Sequence, residues 1–321
     1  MQTSKCFFKV LRAGINTTYQ DEGRFGFQHF GLPPGGCMDY KSFIIGNALV
    51  GNKKNNGVVE FAYQGPMLKL IKGITKIAIT GNVHFKIIYS NNDITEGKCN
   101  RTYNLTEGDI VDIVATKKSV YGYLSVDGGF KLKPFLNSVS TLIKANIGPN
   151  NGSKIGLEDN LIINKISKNK KNLETSILYN ESSIIRVLKG SQYDYFSEES
   201  KKDFFSQKYK ITNLTDRMGM RLQGIDLKNI LNTNIRSEGI TKGAVQVPAD
   251  GQPIILLTDH PTIGGYPKIA NIISADYDLL VQKTPGTNIK FKCIDLQEAE
   301  QLFEDNGNKI SKAINNIKEI I

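Results

Sequence analysis

A mostly β protein with two β-rich blocks is predicted by three features of the chain. Short runs of β-branched and aromatic residues recur throughout, and Gly, Asn or Asp turns separate them. Helix-period segments are few and do not alternate with the strands, so the spacing favours barrels or sandwiches over βαβ units. A polar stretch rich in Asn, Lys and Gly divides the two blocks. The expected domains are residues 1–145, a connecting segment at 146–182, a second block at 183–295, and a helical tail at 296–321.

In the first block, strands are expected at 7–11, 69–71, 76–80, 83–89, 109–115 and 121–126. One helix interrupts them. Asp39 can cap it, Ile45, Ala48 and Leu49 share one face, and Gly51-Asn52 stops it. The second block opens with a strand at 183–188, followed by a helix at 193–205 and a strand at 208–213. Val245 and Val247 then alternate with polar neighbours, Asp250-Gly251 signals a turn, and 254–257 is an apolar run of strand length. A strand at 288–293 completes the block. In the tail, Asp295 with Glu298 forms a capping-box pattern. Beyond Asn306-Gly307-Asn308, residues Ile310, Ala313, Ile314 and Ile317 recur at helical spacing. That stripe is expected to pack on the protein's own β structure.

With 321 residues and 40% hydrophobic content, the chain can bury a sizeable core. Its net charge of +10 is diffuse. The densest basic run, 165–172 (KISKNKKN), has no aromatic residue on which bases could stack, so it reads as a solvated loop. Nucleic acid is therefore not an expected partner. Cys6, Cys37, Cys99 and Cys293 form no CxxC pair, and His29, His84 and His260 are scattered, so neither a metal site nor a redox motif is expected. No segment is apolar enough to span a bilayer, and the opening MQTSKCFFKV lacks a signal-peptide core. A cytoplasmic protein with reduced thiols is expected.

Reactive groups concentrate in residues 243–274, GAVQVPADGQPIILLTDHPTIGGYPKIANIIS. After the apolar run, Asp259, His260, Gly264, Gly265, Tyr266 and Lys268 fall within ten residues. Glycines let backbone approach a ligand, and the charged and phenolic groups supply chemistry. Asp259, His260, Tyr266 and Lys268 are the candidate catalytic residues. Gln246, Gln252, Gly264 and Gly265 are the candidate binding residues beside them. A solvated hairpin loop with GGYP as turn chemistry remains the alternative.

A second concentration is 17–39, TTYQDEGRFGFQHFGLPPGGCMD, where Gln20 and Arg24 are candidate substrate contacts. Arg24 could grip a carboxylate or phosphate, or it could form a local salt bridge with Asp21. A third is TDRMGMRL (215–222), with Met218 and Leu222 read as core and Asp216 as structural. Gly128-Gly129 is not followed by a phosphate-loop pattern, and GxSxG, HExxH and GxGxxG are absent.

The segments GINTTYQDEGRFGFQHFGLPPGGCMD, NALVGN, YGYLSVDGGF, DRMGMRL, the 243–274 block and QKTPGTNIKF occur in this order. Together they resemble the biotin-dependent carboxyltransferase-like family, also called allophanate hydrolase subunit 2. Its members include one of the subunits of bacterial ATP-dependent 5-oxoprolinase, the KipI antagonist and half of a urea carboxylase carboxyltransferase domain. The resemblance implies two β-barrel-type domains, the C-terminal one cyclophilin-like. It implies a KipI-like partner protein, with a LamB/YcsF-type protein as a further one, and ATP as the cosubstrate of the complex. A lactam-opening role is expected. The alternatives are a non-catalytic KipI-antagonist module and half of a carboxyltransferase that uses biotin. Three positions depart from the family pattern. Gly35 stands where a serine is common, Val139 where an arginine is common, and His260-Pro261 replaces a usual Arg-Gln pair.

Overall fold

The computed structural model describes residues 6–164, 171–177, 181–231 and 234–320. The basic run at 165–172 falls almost wholly outside the described residues. Contacts divide the chain into two units, one of Met1–Arg24, Gly35–Leu178 and Lys309–Ile321, the other of Phe25–Pro34 and Tyr179–Asn308.

The first unit carries β1 (Cys6–Arg12), β2 (Thr18–Gln20), α1 (Tyr40–Leu49), β3 (Val58–Ala62), β4 (Met67–Lys72), β5 (Ile74–Gly81) and β6 (Val83–Ile88). It continues with β7 (Ile94–Glu96), β8 (Arg101–Thr106), β9 (Ile110–Thr116), β10 (Tyr121–Val126), β11 (Asn160–Ile163) and β12 (Leu173–Glu174). Two sheets result. One has the order β11-β1-β4-β9-β6-β7, and the other runs β2-β3-β10-β5-β8-β12 and ends on β22 (Lys318–Glu319).

Strand alternation sets what each sheet face does. Phe8, Val10, Leu68, Leu70, Phe85 and Val111 of the first sheet meet Phe61, Ile77, Ile79, Leu105 and Leu124 of the second in one buried core. Truncating a fully buried phenylalanine such as Phe8 or Phe85 should cost about 3–5 kcal/mol. Ala78, between Ile77 and Ile79, points to the opposite face and packs with Ile45 and Leu49 of α1 and with Val50 just past its end. The helix lies close to the sheet because Gly46 has no side chain. A Cβ there would stand 2.7 Å from Ser125 Oγ. Asp39 caps α1 as expected, its carboxylate accepting from Ser42 N at 3.0 Å.

The second unit carries β13 (Ile184–Lys189), α2 (Glu198–Ser206), β14 (Tyr209–Thr215), β15 (Gly219–Gln223), β16 (Glu238–Gly239), β17 (Ala244–Gln246), β18 (Ile254–Leu256) and β19 (Ile263–Gly264). After these come β20 (Lys268–Ile272), α3 (Ser274–Val281), β21 (Asn288–Cys293) and α4 (Leu296–Asn315). Seven strands close into a barrel, β13-β20-β17-β18-β15-β14-β21, sealed by a parallel pairing of β13 with β21. The mostly β class and a C-terminal barrel are thus observed.

Four details differ from expectation. Helix α2 starts at Glu198, because the Ser197 hydroxyl caps Ser200 N at 3.1 Å; Tyr193–Tyr195 is a separate 3-10 turn. Met220, with Leu222, points into the barrel, whereas Met218 precedes β15 and stays half-buried. Strands β11 and β12 pair into the sheets of the first unit from within the 146–182 segment. Finally, α4 is one 20-residue helix that runs through Asn306-Gly307-Asn308. Asp295 caps it, accepting from Glu298 N at 2.8 Å. Ala299 and Leu302 pack with Ile273 and Ile294 of the second unit, while Ala313, Ile314 and Ile317 cover Ile45 and Leu49 of the first. Both anchored ends offset the poor helix propensity of the Asn-Gly-Asn step. No helix among the described residues is long and apolar enough to cross a membrane.

Candidate functional site

Of the candidate residues, Gln20 and Arg24 belong to the first unit and the others to the second.

In the first unit, Asp21 is the centre of a buried hydrogen-bond hub. Its carboxylate accepts from Gly23 N at 2.8 Å, Ser138 Oγ at 2.7 Å and Val139 N at 2.7 Å. Gln20 accepts from Ser140 Oγ at 2.6 Å and donates to Thr141 O at 3.2 Å. Arg24 is buried and its guanidinium donates to the Ser140 carbonyl. The segment after Pro34 joins the same hub, with Gly36 N donating to Ser140 Oγ at 2.8 Å and Cys37 N to Asp21 O at 2.9 Å. Gly35 and Gly36 have φ of 63° and 94°, and a Cβ on Gly36 would meet Glu22 O at 2.6 Å. The glycine at 35 thus suits a left-handed backbone that a serine would strain. Val139 uses its backbone N–H in the hub, and that donation does not depend on its side chain.

In the second unit, the loop after β18 is fastened at both ends. Asp259 is buried and accepts a two-pronged grip from Arg217, Nε at 2.8 Å and a terminal nitrogen to the other oxygen at 3.0 Å. Asp259 N also donates to Arg217 O at 2.8 Å. Asp216 is structural, accepting from Met218 N at 2.7 Å and Gly219 N at 3.1 Å to hold the turn before β15. His260 is buried with its Nδ1 2.6 Å from Pro261 O.

Burial, more than the nearby Lys242 charge, lowers the His260 pKa below its ordinary 6.5, while the Pro261 contact and Asp259 pull it back up. Folded His260 therefore binds its proton less readily than the unfolded chain does. Stability should be constant above about pH 6.5 and fall as acidification protonates the unfolded histidine first. His260→Gln should flatten that fall between pH 6.5 and 5 in a urea titration; an unchanged slope would remove His260 as its cause.

Past this loop, β19 forms a two-stranded ribbon with β16, Glu238 opposite Gly264 and Gly239 opposite Ile263. Ile263 and Tyr266 are exposed, with Gly264 and Gly265 half-buried between them. Gln246 is buried beneath, its amide 3.5 Å from Tyr266 O and close against Gly264. Lys268 begins β20 with its side chain only 6% exposed, and its ammonium pairs with Glu238. Gln192 completes this group by donating to Glu238 Oε1 at 3.0 Å. Lys268 first, and Gln192 second, hold the Glu238 carboxyl below its usual range. Gln252 sits elsewhere, clamping Gly224 through N–H and C=O contacts of 2.9 and 3.2 Å, and bonding Asp226.

The structure thus brings Gln246, Gly264, Tyr266 and Lys268 together and leaves Gln252 in a structural clamp. Sequence reasoning missed Gln192 and Glu238, since neither KGSQYDY nor RSEGI carries a motif. Surface cavities of about 650 and 520 Å3 in the first unit, around Asn100 and around Pro149, hold none of the candidate residues.

The sequence pattern of the carboxyltransferase domain, subdomain A and B, matches residues 30–293. The chain belongs to this carboxyltransferase family. It is 34% identical over 305 residues to a 5-oxoprolinase component of Haemophilus influenzae, covering 92% of this chain and 94% of that protein. Identity to the 5-oxoprolinase component of the same name in Escherichia coli is 33% over 297 residues, with the same coverage on both sides. Among solved structures, the K. lactis urea amidolyase superposes with a TM-score of 0.87 at 28% identity. That match covers 97% of this chain and 20% of the amidolyase, so the chain spans about a fifth of the larger protein. The family pattern takes in the whole GGYPK ribbon, together with Gln192 and Glu238.

Proposed function

We propose that this chain is the corresponding component of a bacterial ATP-dependent 5-oxoprolinase, which opens the lactam of 5-oxoproline to give glutamate. The observation that carries this reading is end-to-end similarity to two 5-oxoprolinase components of one name, at 34% and 33% identity over 92% of the chain. A cytoplasmic complex with a KipI-like protein, and with a LamB/YcsF-type protein, is part of the proposal.

A lactam is a resonance-stabilised amide. Its opening needs donors where charge builds on the ring oxygen and a group that moves a proton. The ribbon after β18 has both kinds of residue. Gly264 and Gly265 let backbone approach a flat ring, and Lys268 with Gln246 supplies polar groups beneath it. Tyr266, 40% exposed, has the accessible phenol and is the proposed proton carrier. Asp259 and His260 are buried, and Asp259 is held by Arg217, so they position the loop. Arg24 and Gln20 brace the hub at Ser140 and Thr141, a supporting role within the first unit.

The glycine pair Gly128-Gly129 does not offer a cradle for a nucleotide phosphate. Gly128 N donates to Asn52 Oδ1 at 2.8 Å and Gly129 N to Val126 O at 2.9 Å, so both amides are already used. In this proposal the ATP site belongs to a partner protein. With the polar groups of this chain largely engaged by one another, activity is expected only in the assembled complex.

The proposal is tested in bacteria whose own gene for this component is deleted. This chain should restore growth on 5-oxoproline as sole nitrogen source, and Tyr266→Phe should slow that growth at unchanged protein level. Failure of the unaltered, well-expressed chain alongside its cognate partner proteins would reject the assignment.

A further inference from the structure

We infer that Glu238 is an internal stand-in for the substrate's carboxylate, occupying an anion site formed by Lys268 and Gln192 until substrate displaces it. The identity of that carboxylate rests on the lactam-opening reading above; the site itself rests on geometry.

The two donors are fixed. Lys268 lies on a barrel strand with its side chain 6% exposed. Gln192 is buried, and its amide orientation is set by its oxygen, which accepts from Lys268 N at 3.2 Å and Ser191 Oγ at 3.2 Å. Its nitrogen must therefore face outward, where it donates to Glu238 Oε1 at 3.0 Å. The Lys268 ammonium bonds the same oxygen. Two positively polarised groups, one on a barrel strand and one in the turn after β13, thus converge on one carboxylate oxygen, which is how a protein receives an anion.

The acceptor is not fixed in the same way. The Glu238 side chain is 42% exposed. It comes from a strand of two residues, Glu238–Gly239, whose sheet holds only the matching pair Ile263–Gly264. Around Gly239 a Cβ would meet nothing within 4 Å. Beyond its own pairing the ribbon is tied by Ile235 N to Gly265 O at 2.8 Å and Ile240 N to Thr262 O at 3.1 Å. Ile240, next to the ribbon, is buried with Ala244 and Leu256, so the backbone stays anchored and the exchange needs only the half-exposed Glu238 side chain to rotate away. Its carboxylate, already half in water, loses little by swinging fully into it. A buried ammonium, in contrast, needs a counter-charge at all times. 5-Oxoproline suits the exchange because its lactam nitrogen is not basic, so its carboxylate is its only charge at neutral pH.

The test is a titration of the full-length chain, followed by NMR or calorimetry, with three probes. These are 5-oxo-L-proline, cyclopentanecarboxylate (a carboxylate without a lactam) and 2-pyrrolidone (a lactam without a carboxylate). Glu238→Ala should bind both carboxylates at least roughly fivefold tighter than the parent chain, the scale of a partly exposed ion pair. Glu238→Gln should show part of that gain, Lys268→Met on the Glu238→Ala background should abolish it, and 2-pyrrolidone should be indifferent throughout. Unchanged or weaker carboxylate binding in Glu238→Ala would overturn the inference. So would failure of both Glu238 variants to fold, which would make the pair a structural tie. A gain for cyclopentanecarboxylate without one for 5-oxoproline would keep the anion site and reject the lactam reading. Oxoprolinase activity with unmoved affinities would do the reverse.

Discussion

Arg217→Met should lower the unfolding free energy by about 3–5 kcal/mol, because it strips a buried carboxylate of its two-pronged partner. Asp259 and Arg217 are both largely buried, with side-chain exposures of 8% and 14%, so solvent cannot take over the lost charge. The damage should be local at first. Amide exchange should accelerate in 257–262, the loop whose Asp259 N and Leu257 N both bond the 217–218 backbone. Arg217→Lys should recover only part of the loss, since an ammonium cannot reproduce the planar fork. Urea midpoints for the three proteins check the order. Equal stability of Arg217→Met and the parent would mean that the pair is not what holds this loop.

The second large effect is expected at Asp21→Ala. That carboxylate is 2% exposed and serves three donors: Gly23 N, Ser138 Oγ and Val139 N. Each donor left without an acceptor in a buried place costs about 1–3 kcal/mol; the Ser138 hydroxyl can rotate, so the two fixed backbone N–H groups set a loss of roughly 2–6 kcal/mol. Asp21→Asn should fare little better, because one amide nitrogen must then face a donor. Denaturation of the two variants at pH 7 measures this directly. A loss below about 1 kcal/mol in Asp21→Ala would show that water replaces the carboxylate, and the hub would not be a fixed element.

Much of the strand pattern was legible because alternation reports burial. Residues 76–80 and 121–126 each place one apolar set in the shared core, while Ala78, Ser125 and the buried Tyr123 lie on the α1 side, the Tyr123 hydroxyl accepting from Asp39 N at 2.7 Å. Other strands hid for physical reasons. Val58–Ala62 carries Glu60, an unpromising residue for a buried strand, yet it is buried and accepts from Met38 N at 2.8 Å. Arg101–Thr106 presents alternating polar residues, so Leu105 and Tyr103 alone did not suggest a strand. Closure of the barrel by β13 and β21 joins residues about a hundred positions apart, and no local signal encodes such a pairing.

The candidate site was legible only in part, and for a similar reason. The clustering of Asp259, Tyr266 and Lys268 within one loop is a sequence property. What each side chain bonds is a property of the fold. Arg217 neutralises Asp259 from another hairpin, Gln252 turns away to clamp Gly224, and Glu238 with Gln192 reaches Lys268 from segments that carry no motif. Residue types marked the place where chemistry gathers, and tertiary pairing decided which groups remain available.

The most direct test of the lactam-opening account is a reconstitution of this chain with the KipI-like protein proposed as its partner, measuring glutamate and inorganic phosphate together. The account predicts that 5-oxoproline stimulates ATP hydrolysis, that glutamate and phosphate appear in equal amounts, and that neither protein alone supports the reaction. Phosphate release indifferent to 5-oxoproline, with no glutamate formed by the correctly assembled complex, would contradict it.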